Sequence, residues 1–232
     1  MILAGGFGRR LRPVVSDRPK CMAPIQGKPF LEYLINFLKN QGVVDIILCL
    51  HYMHDSVIDY FGTGTDFGVY LDYSIETKPL GTAGAIKKAG SYISDAFLLL
   101  NGDTYLDISI NNLISYHKKK RSSITMSLIE IKNPDRYSLV TLSDSGMIIN
   151  INQSFQDTKQ KYVNAGVYVL ESNILDYIPE DIGISLENQI IPELISNREK
   201  IYGFLTSTYF IDIGVPDDYQ KFQQDSLLLS KK

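Results

Sequence analysis

The sequence predicts an α/β protein with a mostly parallel central sheet flanked by helices, and three observations support this prediction. Strand-like and helix-like segments alternate through the first half of the 232-residue chain. Residues 44–50 form a nearly continuous apolar run, which is typical of a parallel strand covered on both faces. Residues 30–41 place apolar side chains at helical spacing, and Gly42 follows as a helix stop signal.

The first half contains the alternating segments in a simple order. They are strand 2–4, helix 30–41, strand 44–50, strand 69–75, helix 82–90, strand 97–100 and helix 110–120. In sheets of this kind the ligand site lies at the carboxyl ends of the strands. Because Gly5–Arg12 follows the first strand and Asn101–Asp103 follows the last, we expect both loops to face one crevice.

The second half changes character and predicts a mixed α+β insertion. Short strands are expected at 123–131, 138–142, 147–151, 163–170 and 201–206, with helices near 171–177, 186–196 and 216–229. No internal repeat is present in the sequence. We therefore expect a single Rossmann-like domain over residues 1–232, with one half at about 1–122 and the other at about 123–232.

Composition excludes several classes of protein. The net charge of −3 argues against a nucleic-acid binder, which would carry a basic excess. No apolar run reaches the roughly 20 residues that span a bilayer, so no membrane partner is expected. The two cysteines are too few for a disulfide scaffold, and the three histidines show no zinc-ligand spacing. We expect no signal peptide and a cytoplasmic location, because the sequence as given has no basic leader before the first loop.

The loop after the first strand carries the most specific chemistry. Gly5, Gly6 and Gly8 let the backbone curl and expose N–H groups to phosphate, and three arginines follow at positions 9, 10 and 12. Arginine side chains match phosphoryl oxygens with two parallel donors. The spacing excludes a P-loop, and Leu11 stands where the dinucleotide fingerprint requires its third glycine. The loop therefore predicts a site for a nucleoside triphosphate.

Several further motifs continue in one order along the chain. They are Gly5–Pro13, Asp17–Pro24, Lys28–Tyr33, Pro79–Ala85, Leu100–Asp103, Asn164–Tyr168, Ser185–Glu187 and Phe210–Tyr219. With these motifs the chain resembles the sugar-1-phosphate nucleotidyltransferases from residue 1 to about residue 222. Within that family it is most similar to bacterial guanylyltransferases that act on D-glycero-α-D-manno-heptose 1-phosphate. Guanylyltransferases for mannose 1-phosphate come next, and thymidylyl- or uridylyltransferases for glucose 1-phosphate come third.

The resemblance implies an activity, a cofactor and partners. A phosphate oxygen of a sugar 1-phosphate attacks the α-phosphorus of a nucleoside triphosphate, GTP by this resemblance, and pyrophosphate leaves. The product is a nucleotide-sugar for surface polysaccharide biosynthesis. The implied cofactor is Mg²⁺, and a homodimer is compatible with the family. The mixed second half would bind the sugar phosphate.

The resemblance also assigns roles to individual residues. The implied catalytic residues are Arg10, Lys20, Asp103 and Asp212, and the last two are the implied metal ligands. Asp103 follows an apolar strand, where an ionised carboxylate is costly unless it faces a cation. The implied nucleotide-binding residues are Leu3, Ala4, Gly5, Gly6, Gly8, Arg9, Arg10, Lys20, Glu76, Pro79, Gly81, Thr82, Gly84, Asn101 and Gly102. The implied sugar-phosphate residues are Tyr137, Asn164, Gly166 and Glu187.

The chain departs from the family pattern at positions that bear on the sugar phosphate. Gln153 and Ser154 stand where the family has an acid and a lysine, and Arg9 replaces a common threonine. Either Arg9, Lys159 or Lys161 supplies the missing positive charge, or the sugar phosphate binds weakly. Two other classes of function stay open at this point: a glycosyltransferase that consumes a nucleotide-sugar, and a catalytically silent sugar-nucleotide sensor. The first would need an Asp-x-Asp motif, but Asn101 stands where its first acid would be.

Overall fold

A computed structural model describes residues 1–131, 139–153 and 161–229 of the chain. The strands in chain order are β1 (Ile2–Leu3), β2 (Pro24–Ile25), β3 (Lys28–Pro29), β4 (Asp45–Leu50), β5 (Tyr70–Ile75), β6 (Phe97–Asn101), β7 (Thr104–Leu106), β8 (Ile124–Glu130), β9 (Leu139–Leu142), β10 (Ile148–Gln153), β11 (Tyr162–Leu170), β12 (Ile201–Thr206) and β13 (Phe210–Asp212). The α-helices are α1 (Phe30–Asn40), α2 (His54–Phe61), α3 (Gly81–Lys88), α4 (Ile110–Lys120), α5 (Ile191–Ser196) and α6 (Pro216–Leu229).

The predicted elements are observed with two differences in helix type, and helix α2 and the short strands β2, β3, β7 and β13 were not predicted. The segment predicted as a helix near 171–177 is a 3₁₀ helix, Ser172–Tyr177. The predicted helix 186–196 begins as a π-helical turn, Leu186–Ile190, and becomes α5 only afterwards. Helix α2 was not predicted, because only Val57 and Phe61 of its eight residues are buried and its apolar pattern is therefore weak.

The chain forms two compact units. Unit 1 comprises Met1–Pro79, Asn101–Tyr105 and Ile211–Lys232, and unit 2 comprises Leu80–Leu100 and Leu106–Phe210. The predicted boundary at about residue 122 remains a prediction. No helix in the described part of the chain is long and apolar enough to cross a membrane.

Unit 1 is built on a parallel sheet. Strands β1 and β5 flank β4, and both pair with it in parallel, with Ile2 opposite Leu48 and Ile46 opposite Leu71. The predicted run 44–50 therefore lies at the centre of these three strands, where its side chains are mostly buried. Helices α1 and α2 follow β3 and β4 along the chain. The α/β class predicted from the alternation is confirmed.

Helices α1 and α6 of unit 1 pack through aromatic rings. The fully buried Phe222 of α6 contacts Phe30 and Tyr33 of α1, with ring centroids 5.2 and 5.5 Å away. Tyr105 of β7 lies 5.5 Å from the same ring. The Tyr219 hydroxyl also donates to the carbonyl oxygen of Pro24 at 2.6 Å. These contacts hold helix α6 against α1 and β7. Helix α6 follows closely after Asp212 in the sequence.

Unit 2 is a mixed structure around strand β11. Strand β11 pairs antiparallel with β6, β8 and β9, and β12 pairs with β8 in parallel. Strand β11 is almost wholly buried, because strands lie on both of its edges and apolar residues fill most of its positions. This mixture of parallel and antiparallel pairing confirms the predicted change of character in the second half.

Candidate functional site

The glycine-rich loop of unit 1 begins where β1 ends at Leu3. Gly8 has φ +59°, a conformation that favours glycine, and its carbonyl oxygen accepts hydrogen bonds from the amides of Leu11 and Arg12. A Cβ at position 8 would lie 2.8 Å from the Cβ of Lys20. The loop can therefore lie this close to Lys20 only because position 8 carries no side chain.

A pocket of about 220 Å³ opens beside this loop. The residues that line it are Leu3, Ala4, Gly6, Gly8, Arg9, Arg10, Lys20, Cys21, Gly102, Asp103 and Gly214. As the strand-helix alternation predicted, the loop after β1 and the loop after β6 share one cavity. Three of its lining side chains are cationic, so the pocket is suited to a polyanion such as a triphosphate.

Backbone hydrogen bonds hold the two predicted metal ligands together, and one of them, Asp103, lines this pocket. The amide of Gly102 donates to the carbonyl oxygen of Leu3 at 2.8 Å, which places the start of the Asp103 loop beside β1. The amide of Ile213 donates to the carbonyl oxygen of Asp103 at 3.0 Å, and β7 pairs with β13. Asp103 and Asp212, 109 positions apart in sequence, are thereby held on neighbouring backbones.

Lys20 bridges the two carboxylates. Its Nζ lies 2.7 Å from Oδ2 of Asp103 and 3.3 Å from Oδ1 of Asp212, and its side chain is only 9% exposed. Burial raises the pKa of Asp103, but the Lys20 ammonium, the Thr104 hydroxyl and the Arg10 guanidinium outweigh burial and hold that pKa below its usual value. Asp103 is therefore ionised at neutral pH.

Gly214 completes the packing around these charges. A Cβ at position 214 would lie 2.7 Å from Oδ1 of Asp212, 2.9 Å from Nζ of Lys20 and 3.2 Å from Nη2 of Arg10. The amide of Gly214 also donates to the same Asp212 oxygen at 2.7 Å. The absence of a side chain at position 214 thus allows Arg10, Lys20 and Asp212 to converge.

The two carboxylates fit a hard divalent cation. Both offer oxygen ligands, and their negative charges already converge on one cationic group, the Lys20 ammonium. Within the residues that the structure describes, no cluster of three or more Asp, Glu, His or Cys side chains could hold a metal. A pair of carboxylates suits Mg²⁺, which usually takes one or two protein carboxylates and completes its shell with water and substrate phosphates.

Glu76 lies next to the glycine-rich loop. It follows β5, is 7% exposed, and its Oε1 would lie 3.2 Å from a Cβ at position 5. A ring nitrogen of His51, Nδ1, lies 2.8 Å from the carbonyl oxygen of Glu76. The structure therefore places the predicted nucleotide residues Gly5 and Glu76 side by side. Asn101 ends β6, and Pro79 ends the first segment of unit 1.

The predicted nucleotide residues Gly81, Thr82 and Gly84 lie in α3 of unit 2. Gly81 has φ +69°, and a Cβ there would lie 2.5 Å from the carbonyl oxygen of Ile184. A Cβ at Gly84 would lie 2.7 Å from the carbonyl oxygen of Ile182. Both glycines are thus explained by close packing on segment 182–184. Their contact with a nucleoside remains a prediction.

A second pocket, of about 150 Å³, lies within unit 2. Its lining residues are Met126, Val140, Ile151, Asn152, Val163, Asn164 and Glu187. Two of the predicted sugar-phosphate residues, Asn164 and Glu187, are among them. Gly166 lies in the same strand, β11, and its amide donates to Oδ1 of Asn164 at 2.9 Å. Apolar side chains with a few polar groups are typical of small-molecule pockets.

Some predicted residues lie outside the described part of the chain, and some pocket residues were not predicted. Tyr137, Ser154 and Lys159 are outside it, so their roles remain predictions. Cys21 and Gly214 line the first pocket without having been predicted, although each stands within two positions of a predicted catalytic residue. The apolar residues of the second pocket gave no signal, because apolar residues on strands usually indicate core.

The chain is similar to known proteins over nearly its whole length. Residues 1–227 match the nucleotidyl transferase family. The chain is 37% identical over 226 residues to a D-glycero-α-D-manno-heptose 1-phosphate guanylyltransferase from Aneurinibacillus thermoaerophilus, which covers 97% of this chain and 96% of that protein. A protein of the same name from Campylobacter jejuni is 36% identical, with 96% and 97% covered. The crystal structure of HddC from Yersinia pseudotuberculosis complexed with GMP-PN matches with a TM-score of 0.85, at 36% identity and 97% coverage of both chains.

Proposed function

The chain belongs to the nucleotidyl transferase family, and we propose that it transfers a guanylyl group from GTP to a sugar 1-phosphate. The products are a GDP-sugar and pyrophosphate. One observation carries the proposal: Arg10 and Lys20 converge with Asp103 and Asp212 beside a glycine-rich loop. That set of charges can bind a triphosphate and hold a divalent cation at the same place.

The chemistry asked of these residues is alignment and charge stabilisation. A phosphate oxygen of the sugar 1-phosphate forms a bond to the α-phosphorus of GTP, and the bond from that phosphorus to the bridging oxygen of pyrophosphate breaks. Pyrophosphate carries away the electron pair. Both substrates are anions, so the protein must offset their repulsion and hold them in line.

Each charged residue contributes to that task in its own way. Asp103 and Asp212 would hold Mg²⁺, which when bound neutralises phosphoryl charge in the transition state. Arg10 binds the α- and β-phosphates through its guanidinium group. Lys20, which now pairs with both carboxylates, lies close enough to the loop to bind the leaving pyrophosphate. Arg9 lines the same pocket, and we assign to it the positive charge that the family takes from the lysine replaced by Ser154 in this sequence.

Glu76 supports guanine as the base. The Watson–Crick edge of guanine presents two adjacent donors, N1–H and the 2-amino group, and a carboxylate can accept both. Uracil and thymine present a single donor between two carbonyl oxygens, which a carboxylate repels. The carboxylate of Glu76 lies close to Gly5 of the glycine-rich loop, and this proximity supports a contact between Glu76 and the base.

The proposed sugar substrate is D-glycero-α-D-manno-heptose 1-phosphate. It rests on the names of the two guanylyltransferases that match nearly the whole chain. The pocket with Asn164 and Glu187 supports sugar binding in unit 2, because amide and carboxylate groups fix the orientation of hydroxyls. A role in surface polysaccharide synthesis, the homodimer and the cytoplasmic location remain predictions.

A grid of substrates tests the proposal. The purified full-length protein is incubated with Mg²⁺, each of GTP, ATP, UTP and dTTP, and each of heptose 1-phosphate, mannose 1-phosphate and glucose 1-phosphate. We expect pyrophosphate release to be fastest with GTP and the heptose. Release that is fastest with GTP and mannose 1-phosphate would correct the sugar. Release only with UTP or dTTP would overturn the base, and no release in any combination would favour the silent sensor.

A further inference from the structure

Strand β11 is irregular at the second pocket. Asn164 pairs with Leu128 of β8 and Tyr168 pairs with Met126, so four steps along β11 oppose two steps along β8. Gly166, with φ +74°, lies in the middle of this bulge. In a regular strand, residues four apart are separated by about 13 Å. The bulge instead brings the side-chain amide group of Asn164 into a hydrogen bond with the hydroxyl of Tyr168.

The direction of that hydrogen bond can be deduced from its neighbours. Oδ1 of Asn164 accepts from the amide of Gly166 at 2.9 Å, so Nδ2 is the atom that donates to Tyr168. The Tyr168 hydroxyl has a single hydrogen, and its oxygen lies 3.1 Å from Oε1 of Glu187. The hydroxyl therefore accepts from Asn164 and donates to Glu187.

The other oxygen of Glu187 is held in the same way by two more hydroxyls. Thr82 accepts from the amide of Leu186 at 2.8 Å and donates to Oε2 of Glu187 at 2.8 Å. Ser185 accepts from the amide of Asn188 at 3.2 Å and donates to the same oxygen at 3.1 Å. Each hydroxyl donates its single hydrogen to the carboxylate, which can only accept, while a backbone amide donates to the hydroxyl oxygen and helps to hold it in place.

This network fixes what the pocket can offer a ligand. A carboxylate has about four acceptor positions, and three of those on Glu187 are filled by hydroxyls. One N–H of the Asn164 side chain donates to Tyr168, and one lone pair of its Oδ1 accepts from the amide of Gly166. Glu187 can thus accept at most one further hydrogen bond, and Asn164 can donate one and accept one. The pair would read one or two sugar hydroxyls, each in a set direction.

We propose that Tyr168 and Thr82 are positioning residues for recognition of the sugar: Tyr168 fixes both Asn164 and Glu187, and Thr82 fixes Glu187. The proposal rests on the proposed function. Tyr168 is fully buried and is not among the residues that line the pocket, so it acts through Asn164 and Glu187. We assign Thr82 to the second pocket because its hydroxyl donates to Glu187, a residue that lines that pocket, and accepts from the amide of Leu186. This differs from the nucleotide contact that the family resemblance implies for Thr82.

Calorimetry measures the affinity of the protein for GDP and for GDP-mannose. The difference between the two affinities is the contribution of the sugar to binding. Tyr168→Phe keeps the ring and removes only the hydroxyl, which leaves Asn164 and Glu187 free to reorient. We expect the affinity gained from the sugar to fall about tenfold, since a polar group loses its buried partner. The affinity for GDP should stay within about twofold, and KM should rise for the sugar phosphate but not for GTP.

Tyr177→Phe is the matched control. The Tyr177 hydroxyl also donates to a glutamate, Oε1 of Glu199, at the same 3.1 Å, but neither residue lines the first or the second pocket. This variant should bind both ligands like the parent. Thr82→Val provides a second test that does not depend on the folding of Tyr168→Phe. It should lose sugar affinity and keep GDP affinity, while Thr82→Ser, which retains the hydroxyl, should keep both.

The outcomes separate this proposal from the proposed function. If the parent gains affinity from the sugar and both Tyr168→Phe and Thr82→Val keep that gain, the positioning role is wrong and the proposed function stands. If Thr82→Val loses GDP affinity instead, Thr82 belongs to the nucleotide site and its role here is wrong. If the parent gains nothing from the sugar and releases no pyrophosphate with any sugar phosphate, both proposals are wrong.

Discussion

Gly214 shows how a residue without a side chain can govern a charged site. A methyl group at this position would stand within 3.2 Å of Asp212, Lys20 and Arg10. Gly214→Ala should therefore lower turnover on the order of 10- to 100-fold, because small displacements of aligned groups are costly. Steady-state kinetics and thermal melting measure this. Gly90→Ala is the control, since its methyl would meet only Leu175 at an ordinary 3.4 Å. Equal turnover in both variants would show that the site tolerates the methyl group.

Arg9 is a second residue whose role can be isolated. Its guanidinium lies 5.8 Å from the centre of the Phe7 ring and lines the first pocket. If it replaces the family's lysine, Arg9→Thr should raise the KM for sugar phosphate or slow turnover by about tenfold to hundredfold, the equivalent of a charge-assisted contact worth about 1.5–3 kcal/mol. Arg12→Thr is the matched control, because Arg12 stacks on Tyr52 and is not among the lining residues. An unchanged Arg9→Thr enzyme would leave the charge to Lys159, Lys161 or the metal.

The two cysteines test how tightly unit 1 is packed. Burial raises the pKa of both Cys21 and Cys49 to about 12. We expect neither thiol to react with Ellman's reagent at pH 8 in the folded protein, and both to react after denaturation. Because only the unfolded chain can release these protons readily, stability should fall as the pH rises above about 9. Rapid reaction of Cys21 in the folded protein would show that the first pocket opens further than the structure shows.

At the scale of elements, helix α6 connects stability to the site. Phe222 is fully buried against Phe30, Tyr33 and Tyr105, and α6 follows directly after Asp212 and Gly214. Phe222→Ala should lower the free energy of unfolding by about 3–5 kcal/mol, the usual cost of removing a buried aromatic side chain. Urea denaturation measures this, and exposed Gln224→Ala is the control. A loss below about 1 kcal/mol would show that the aromatic cluster contributes little.

Some of the helices and strands could be predicted from the sequence, and others could not. Helices 110–120 and 216–229 and strand 201–206 were predicted with the bounds that the structure shows, because their patterns are long or their flanking signals strong. Strands β7 and β13 have three residues each, too few for a pattern. Yet they hold Asp103 beside Asp212. The motifs predicted which acids matter, while the pairing that joins them is a long-range backbone contact.

The second pocket shows the limit of prediction at a single position. Asn164 and Glu187 were expected there from the family resemblance, but Tyr168 was not, although it ends the same motif. Its importance depends on the bulge in β11, and a bulge cannot be located from the alternation of side chains. The direction of each hydrogen bond likewise follows only from the backbone amides that the fold supplies.

In the molecule as a whole, we propose that the charged residues of unit 1 act on the phosphates and that the second pocket, in unit 2, recognises the sugar. The charged cluster in unit 1 draws on three separate stretches of chain, which contribute Lys20, Asp103 and Asp212. The second pocket, in unit 2, is lined by residues of β8, β9, β10 and β11 and by Glu187 of the π-helical turn. Variants of the residues that line or support the second pocket should therefore affect the KM for the sugar phosphate more than the KM for GTP.

We propose that Asp103 and Asp212 together hold the cation for guanylyl transfer. The most direct test is pyrophosphate release by Asp103→Asn and Asp212→Asn, each compared with the parent at saturating Mg²⁺, GTP and heptose 1-phosphate. Each change removes a negative charge at nearly constant volume. We predict that each lowers turnover ~100-fold or more, because electrostatic stabilisation dominates phosphoryl transfer, while circular dichroism shows an intact fold. Near-parental rates in both folded variants would contradict the account.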